Sequence, residues 1–168
     1  MSDCVFCKIV SGEIATPKLY EDSTAIVTFE LNPASFGHVL IIFKEHAQSF
    51  SEMDVSKFIN YQTVVRFMQR GLTHYVKPKG YHVLTNSGEV ANQQSTHLIT
   101  HVIPIKGDEE MAMGWKPKQF NQEQLTDLAK KLLTLQKEEE KKAAKVIKKE
   151  TKNLFNVVKM GDFKRLKP

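Results

Sequence analysis

The chain has 168 residues, 41% hydrophobic and 26% charged, with a formal net charge of +5, which suits one domain able to bury a core without disulfide staples. No apolar run approaches the roughly 18 residues needed to cross a bilayer, and the N-terminus lacks a basic stretch followed by an apolar one. The expectation is a cytoplasmic protein with no transmembrane segment.

Cys4-x-x-Cys7 comes first in chain order. In a chain without a secretion signal this spacing points to metal or redox chemistry rather than to a structural disulfide. Lys18 to Tyr20 reads as a weak edge strand, and Ala25 to Phe29 and Val39 to Phe43 as stronger ones. Asn32-Pro33 and Ser35-Phe36-Gly37 supply turn chemistry between the latter two. From 54 to 72 the period changes: Val55, Phe58, Ile59, Val65, Met68 and Leu72 recur at helical spacing, with Asp54 placed to cap and Gly71 near the end. Tyr61, Val64 and Phe67 add a second apolar face, as expected of a helix that also pairs with another copy.

Tyr81 to Leu84 and His97 to Ile103 predict two more strands. In an extended strand His97, Ile99 and His101 share one face, with Leu98, Thr100 and Val102 on the other. Tight turns leave no room for parallel crossovers. The fold class expected is therefore α+β, an antiparallel meander of about five strands with one central helix and a C-terminal helix.

After Pro117 no proline or glycine appears until Gly161. Asn121 and Gln124 resemble a capping box, and Leu125, Leu128, Leu132 and Leu135 form an apolar stripe. One helix from 122 to 158 would extend about 55 Å. Residues 141–168 hold ten Lys or Arg against Glu150 and Asp162, so the preceding 140 residues carry a net −3. Residues 1–136 are expected to form the domain and 137–168 a basic, helical extension. Such an extension is either a solvated helix or a weak contact for RNA, DNA or an anionic membrane surface.

Six ordered motifs carry a resemblance. They are Cys4-Val5-Phe6-Cys7, Glu30-Leu31-Asn32-Pro33, Gly37-His38-Val39-Leu40-Ile41-Ile42, Lys44-Glu45-His46, Asn86-x-Gly88-x-x-Ala91-x-Gln93, and His97-x-Ile99-x-His101-Val102-Ile103-Pro104. Gly114-Trp115-Lys116 follows as a further landmark. Together, over roughly residues 3 to 135, they resemble the zinc-containing, Hint-like branch of the histidine triad (HIT) superfamily of nucleotidyl hydrolases and transferases. Its signature is His-x-His-x-His, and this sequence carries Ile99 where the middle histidine belongs.

The resemblance implies a structural zinc ion on Cys4, Cys7, His46 and His97, which offer the four Cys and His ligands that such sites use. It implies a purine nucleotide or nucleotide conjugate as ligand, with Phe6, Phe29 and Leu31 as an apolar slot for the base. Glu30 would accept from ribose hydroxyls; Asn32, Asn86 and Gln93 would meet sugar and phosphate oxygens. Gln94, where relatives have serine, and Trp115 complete the nucleotide-binding set. His38, His74 and His82 receive no assignment, beyond His38 packing near the site. The resemblance further implies a homodimer joined through the helix and a continued sheet.

In active relatives the middle histidine attacks the α-phosphorus, which requires an imidazole lone pair. Ile99 has none. His101 corresponds to the last histidine, which contacts the phosphate and assists the leaving group. Two residues along a strand displace a side chain by about 6.6 Å, whereas an attacking atom must lie about 3 to 3.5 Å from phosphorus. Three functions follow as alternatives: a nucleotide-binding protein with lost or strongly reduced hydrolase or transferase activity; an active hydrolase of nucleoside phosphoramidates or dinucleoside polyphosphates; or an interaction protein acting through its basic extension.

Overall fold

The computed structural model describes residues 4–107 and 117–160; residues 1–3, 108–116, with Trp115 among them, and 161–168 lie outside the described residues. The chain divides into two units, 1–112 and 113–168, each considered by itself.

In the first unit a short helix, α1 (Val5–Ser11), starts at Cys4, whose sulfur accepts from the Cys7 amide, and stops at Gly12 with φ +84°. The left-handed backbone at Gly12 is open to glycine without steric cost and ends the helix. Four strands and a helix follow, β1 (Tyr20–Glu21), β2 (Ala25–Phe29), β3 (Val39–Phe43), α2 (Val55–Tyr75) and β4 (Gly80–Leu84), before β5 (Ile99–Ile105) closes the sheet. All neighbours pair antiparallel in the order β1-β2-β3-β5-β4. The expected five-stranded antiparallel α+β architecture is present. Helix α2 carries the chain to the outer edge, and β5 returns between β3 and β4.

The alternation of each strand sorts its side chains. Ala25 and Val27, Val39, Ile41 and Phe43, and Leu98 and Val102 form one buried cluster with Tyr61, Val64 and Val65 of α2. On the opposite face, register places Ile42 against Ile99 and Leu40 against His101. Ile26 and Ile42 are fully buried.

Several expectations shift. The edge strand lies at Tyr20–Glu21 rather than at 18–20, because Tyr20 and Glu21 are the residues that find partners on β2. Asp54 occupies the N-cap position of α2 without a side-chain cap bond, its carboxylate instead lying 3.6 Å from Lys57 Nζ. Gly71 sits inside α2, which continues to Tyr75. Tyr61 and Val64 are core residues, 0% and 3% exposed, whereas Phe67 is 56% exposed and rests its ring on Tyr20. The exposed apolar side of α2 therefore differs from the expected Tyr61, Val64 and Phe67: Tyr61, Val64 and Val65 look into the sheet, and Phe58, Ile59 and Phe67 are the exposed ones.

In the second unit, α3 (Gln122–Met160) is one helix of 39 residues, about 58 Å long. The Asn121 carboxamide oxygen accepts the Glu123 amide at 2.7 Å and caps it. Among the described residues no helix is long and apolar enough to cross a membrane.

Candidate functional site

Two polar clusters are built on the strand face opposite α2, and His97 and His101 assign one to each. Strand β5 begins at Ile99, two residues later than the sequence pattern gives. Leu98 stands just before it, its amide on the Ala47 carbonyl at 2.6 Å and its carbonyl on the Phe43 amide at 3.2 Å. This bonding fixes the chain at His97 as firmly as a strand would.

The first cluster joins Cys4, Cys7, His46 and His97, whose ligand atoms all lie within 4.8 Å of one another. His97 Nδ1 is 3.5 Å from Cys4 Sγ and 3.6 Å from Cys7 Sγ, and His46 Nδ1 is 3.3 Å from Cys7 Sγ. Around a tetrahedral zinc with the usual bond lengths of about 2.3 Å to sulfur and 2.0 Å to nitrogen, sulfur and nitrogen would stand roughly 3.6 Å apart. The four residues therefore fit a zinc ion. His97, fully buried, lies 2.6 Å through Nε2 from the Phe43 carbonyl. A carbonyl only accepts, so Nε2 holds the proton and Nδ1 keeps the lone pair that a metal needs. Burial pushes the His97 imidazole below its ordinary pKa, keeping it neutral. Burial likewise raises the Cys7 thiol, with Cys4 adding to it.

The second cluster joins Glu30, His38 and His101, again with ligand atoms within 4.8 Å of one another. His38 Nε2 lies 3.0 Å from His101 Nδ1, and His38 Nδ1 accepts the Ala34 amide at 3.2 Å. Burial lowers the pKa of both imidazoles; His101 adds to the effect on His38, and Glu30 opposes it on each. Glu30 accepts the Asn32 amide at 3.0 Å, which folds the turn after β2 back over its own carboxylate.

Among the remaining expected residues the structure separates roles. Phe6 sets its ring 5.7 Å from that of His97, beside the first cluster. Phe29 and Leu31 are exposed at the end of β2, by 52% and 90%. Asn86 donates to the Asn92 carbonyl. Gln93 accepts the Gly88 amide and donates to the Gln48 carbonyl. Both amides thus stitch the loop from 86 to 93, in which Asn92 holds a left-handed backbone. Gln94 and the Asn32 side chain are exposed. Ile99 stands between the clusters, paired with Ile42 on β3.

His38 is the residue that sequence reasoning left without a function. No motif spacing links it to His101, 63 positions away. The available signal was the antiparallel pairing of β3 with β5, which sets Val39 opposite Val102 and so brings His38 beside His101 once the register is known.

A HIT domain profile matches residues 11–108. Adenosine 5'-monophosphoramidase hnt1 of Schizosaccharomyces pombe is 32% identical over 77% of this chain and 95% of its own length. Among solved structures, a histidine triad nucleotide-binding protein from Candida albicans superposes with TM-score 0.70 at 29% identity, over 81% of this chain and 99% of that one. A zinc-bound histidine triad family protein from Mycobacterium smegmatis superposes with TM-score 0.60 at 25% identity, over 70% of this chain and 85% of that one. With the profile spanning more than half of its length, the chain belongs to the HIT domain family.

Proposed function

We propose that this protein binds a purine nucleotide or nucleotide conjugate at Glu30, His38 and His101, and that its nucleotidyl hydrolase or transferase activity is lost or strongly reduced. The carrying observation is the placement of Ile99 between His97, held in the cysteine cluster, and His101, held by His38. The phosphoramidase and the nucleotide-binding protein among its relatives support the ligand class.

The hydrogen-bond order gives His101 its role. The Ala34 N–H can only donate, so His38 accepts at Nδ1 and keeps its proton on Nε2. His38 then donates to His101 Nδ1, and His101 keeps a proton on Nε2. His101 therefore offers the ligand a donor, suited to a phosphate oxygen or a departing group, and has no free lone pair for attack on phosphorus. Ile99 supplies none either. Glu30, at the mouth of the same cluster, accepts from sugar hydroxyls.

Zinc on Cys4, Cys7, His46 and His97 belongs to the same proposal, supported by the interatomic distances and by the zinc-bound relative. It would supply folding energy by tying α1 to the loop after β3 and to β5. The same proposal takes the protein as cytoplasmic, with residues 1–136 as the HIT domain and 137–168 as its extension. Two copies would pair along β4, the outer strand of the sheet, and through the exposed surface of α2.

The test combines calorimetry with adenosine and guanosine monophosphates and a sensitive turnover assay on an adenosine phosphoramidate. Binding without appreciable turnover is expected. Vigorous hydrolysis by the unaltered protein would sink the inactive assignment, and absence of binding at millimolar nucleotide would sink the ligand.

A further inference from the structure

Helix α3 sorts its charges by face. At 3.6 residues per turn, all eight lysines between 130 and 149 project within an arc of about 140°. Leu125, Leu128, Leu132, Leu133, Leu135 and Ile147 occupy the opposite arc, each 43–57% exposed. The two lysines in ion pairs, Lys131 with Asp127 and Lys142 with Glu139, stand at one margin of the basic arc. Lys137, at the other margin, and Lys141, Lys145 and Lys148 follow one another in steps of about 4.5 to 6 Å, without an ion pair among the described residues.

We propose that this lysine row is a sequence-independent contact for the phosphate backbone of double-stranded nucleic acid. A duplex carries one negative charge for about each 1.7 Å of its axis, so a straight row of ammonium groups meets several phosphates at once and releases their counterions. Anionic membrane is the competing partner, and the apolar arc decides against it. A helix lying in the headgroup plane buries its apolar side among acyl chains, and Glu139 and Glu140 fall within that side at mid-helix. The basic arc also lacks aromatic residues among those described, which favours backbone charge over base stacking as the mode of contact. From 139 to 149 every position of that arc is a lysine, a single sign of charge complementary to phosphate, whereas Glu123, Asp127 and position 138 interrupt it nearer the N-terminus.

The experiment uses the full chain and a fluorescent 30-base-pair DNA duplex, with an RNA duplex and phosphatidylserine vesicles as parallel arms. The expected Kd lies at roughly 10⁻⁴ to 10⁻⁶ M near physiological salt. Replacing Lys137, Lys141, Lys145 and Lys148 together by Gln keeps helix propensity and should flatten the plot of log K against log salt by about 3 to 4 units. A charge-matched variant with Lys77, Lys79, Lys106 and Lys118 replaced by Gln should retain most of the binding, and far-UV circular dichroism confirms that both are helical. Equal loss in the two variants would reduce the effect to net charge and overturn the proposal. No duplex binding at low salt would overturn it too, as would vesicle binding that survives the lysine changes and disappears with Leu128→Ala and Leu132→Ala.

Discussion

His38 and His101 sit Nε2 to Nδ1 at 3.0 Å, with the Ala34 amide closing the chain behind His38. Each imidazole has one neutral tautomer compatible with this order, so Nε2 of His101 carries the proton and is a donor. Truncating His101 to Ala should remove a donor to phosphate worth about 1.5 to 3 kcal/mol, which calorimetry reads as a Kd for adenosine monophosphate raised by roughly 10- to 150-fold. An unchanged Kd would take His101 out of the ligand site.

The same pair sets an acid limit on stability. Burial holds both pKa values below the ordinary histidine value, so the unfolded chain binds more protons through that interval. Their contribution is fully present above about pH 6.5 and is lost as pH falls through the depressed folded values. Tm should therefore decline between pH 7 and 5. It should decline less steeply in the His38→Gln, His101→Gln double variant, compared at equal zinc so that acid release of metal from His46 and His97 cancels. Parallel curves would mean that neither histidine is held neutral by its surroundings.

Metal content gives a separate check. Purified protein should hold about one zinc per chain, as four Cys and His ligands imply, and Cys7→Ser should bring this close to zero. His97→Ala should destabilise the protein even when stripped of metal. The Phe43 carbonyl at 2.6 Å loses its buried donor, at a cost of about 1 to 3 kcal/mol. Zinc near zero in the unaltered protein, with reductant present throughout, would remove the metal assignment.

How much of this was readable beforehand depends on whether a residue's role is local. The strands at 25 to 29 and 39 to 43 follow from continuous apolar, β-branched runs and α2 from its helical period, because burial selects both directly. That Cys4, Cys7, His46 and His97 gather in one cluster was accessible because four residues of matching chemistry stand in ordered motifs. His38 was not, since its partner is fixed by β3–β5 register. The amides of Asn86 and Gln93 bond nearby backbone, which the sequence pattern does not show: both do so within their own loop, and Gln93 also reaches the Gln48 carbonyl after β3. Tyr61 was assigned to an outer face because an aromatic residue with a hydroxyl suits either side of a helix. Only the tertiary partners of that hydroxyl decide.

Those partners make Tyr61 a stability residue. Its hydroxyl lies 2.6 Å from the Ile41 carbonyl and 3.1 Å from Thr100 Oγ1, and Thr100 is in turn 2.6 Å from Thr85 Oγ1. Since Tyr61 must donate to the carbonyl, the chain runs from Thr85 through Thr100 to Tyr61, linking the end of β4 to α2. Burial raises the phenol pKa, so it stays protonated. Tyr61→Phe leaves buried polar atoms unpaired at about 1 to 3 kcal/mol, lowering Tm by roughly 4 to 8 °C per kcal/mol for a domain near 100 residues. Subunit association measured by sedimentation should not change, whereas loss of pairing without loss of Tm would return Tyr61 to an interface.

Ile99→His is the decisive substitution. The position lies on β5 opposite Ile42 and is half-buried, so an imidazole of similar bulk enters at a cost of about 1 to 2 kcal/mol for the aliphatic burial given up. It would project from the same face as His101, two residues away, which already supplies a proton on Nε2. A neutral histidine at 99 would add the missing electron pair for attack on phosphorus, forming a phosphorus–nitrogen bond as the phosphoramidate nitrogen leaves with a proton from the site. Water would then cleave that bond. Single-turnover assays on adenosine phosphoramidate should show at least a 10²-fold gain over the unaltered protein, the low end of what acid–base assistance alone contributes. Mass spectrometry of the quenched reaction should locate an adenylyl group at position 99. Strong, equal rates in both proteins, or an adduct on the unaltered chain, would show that another side chain carries the chemistry.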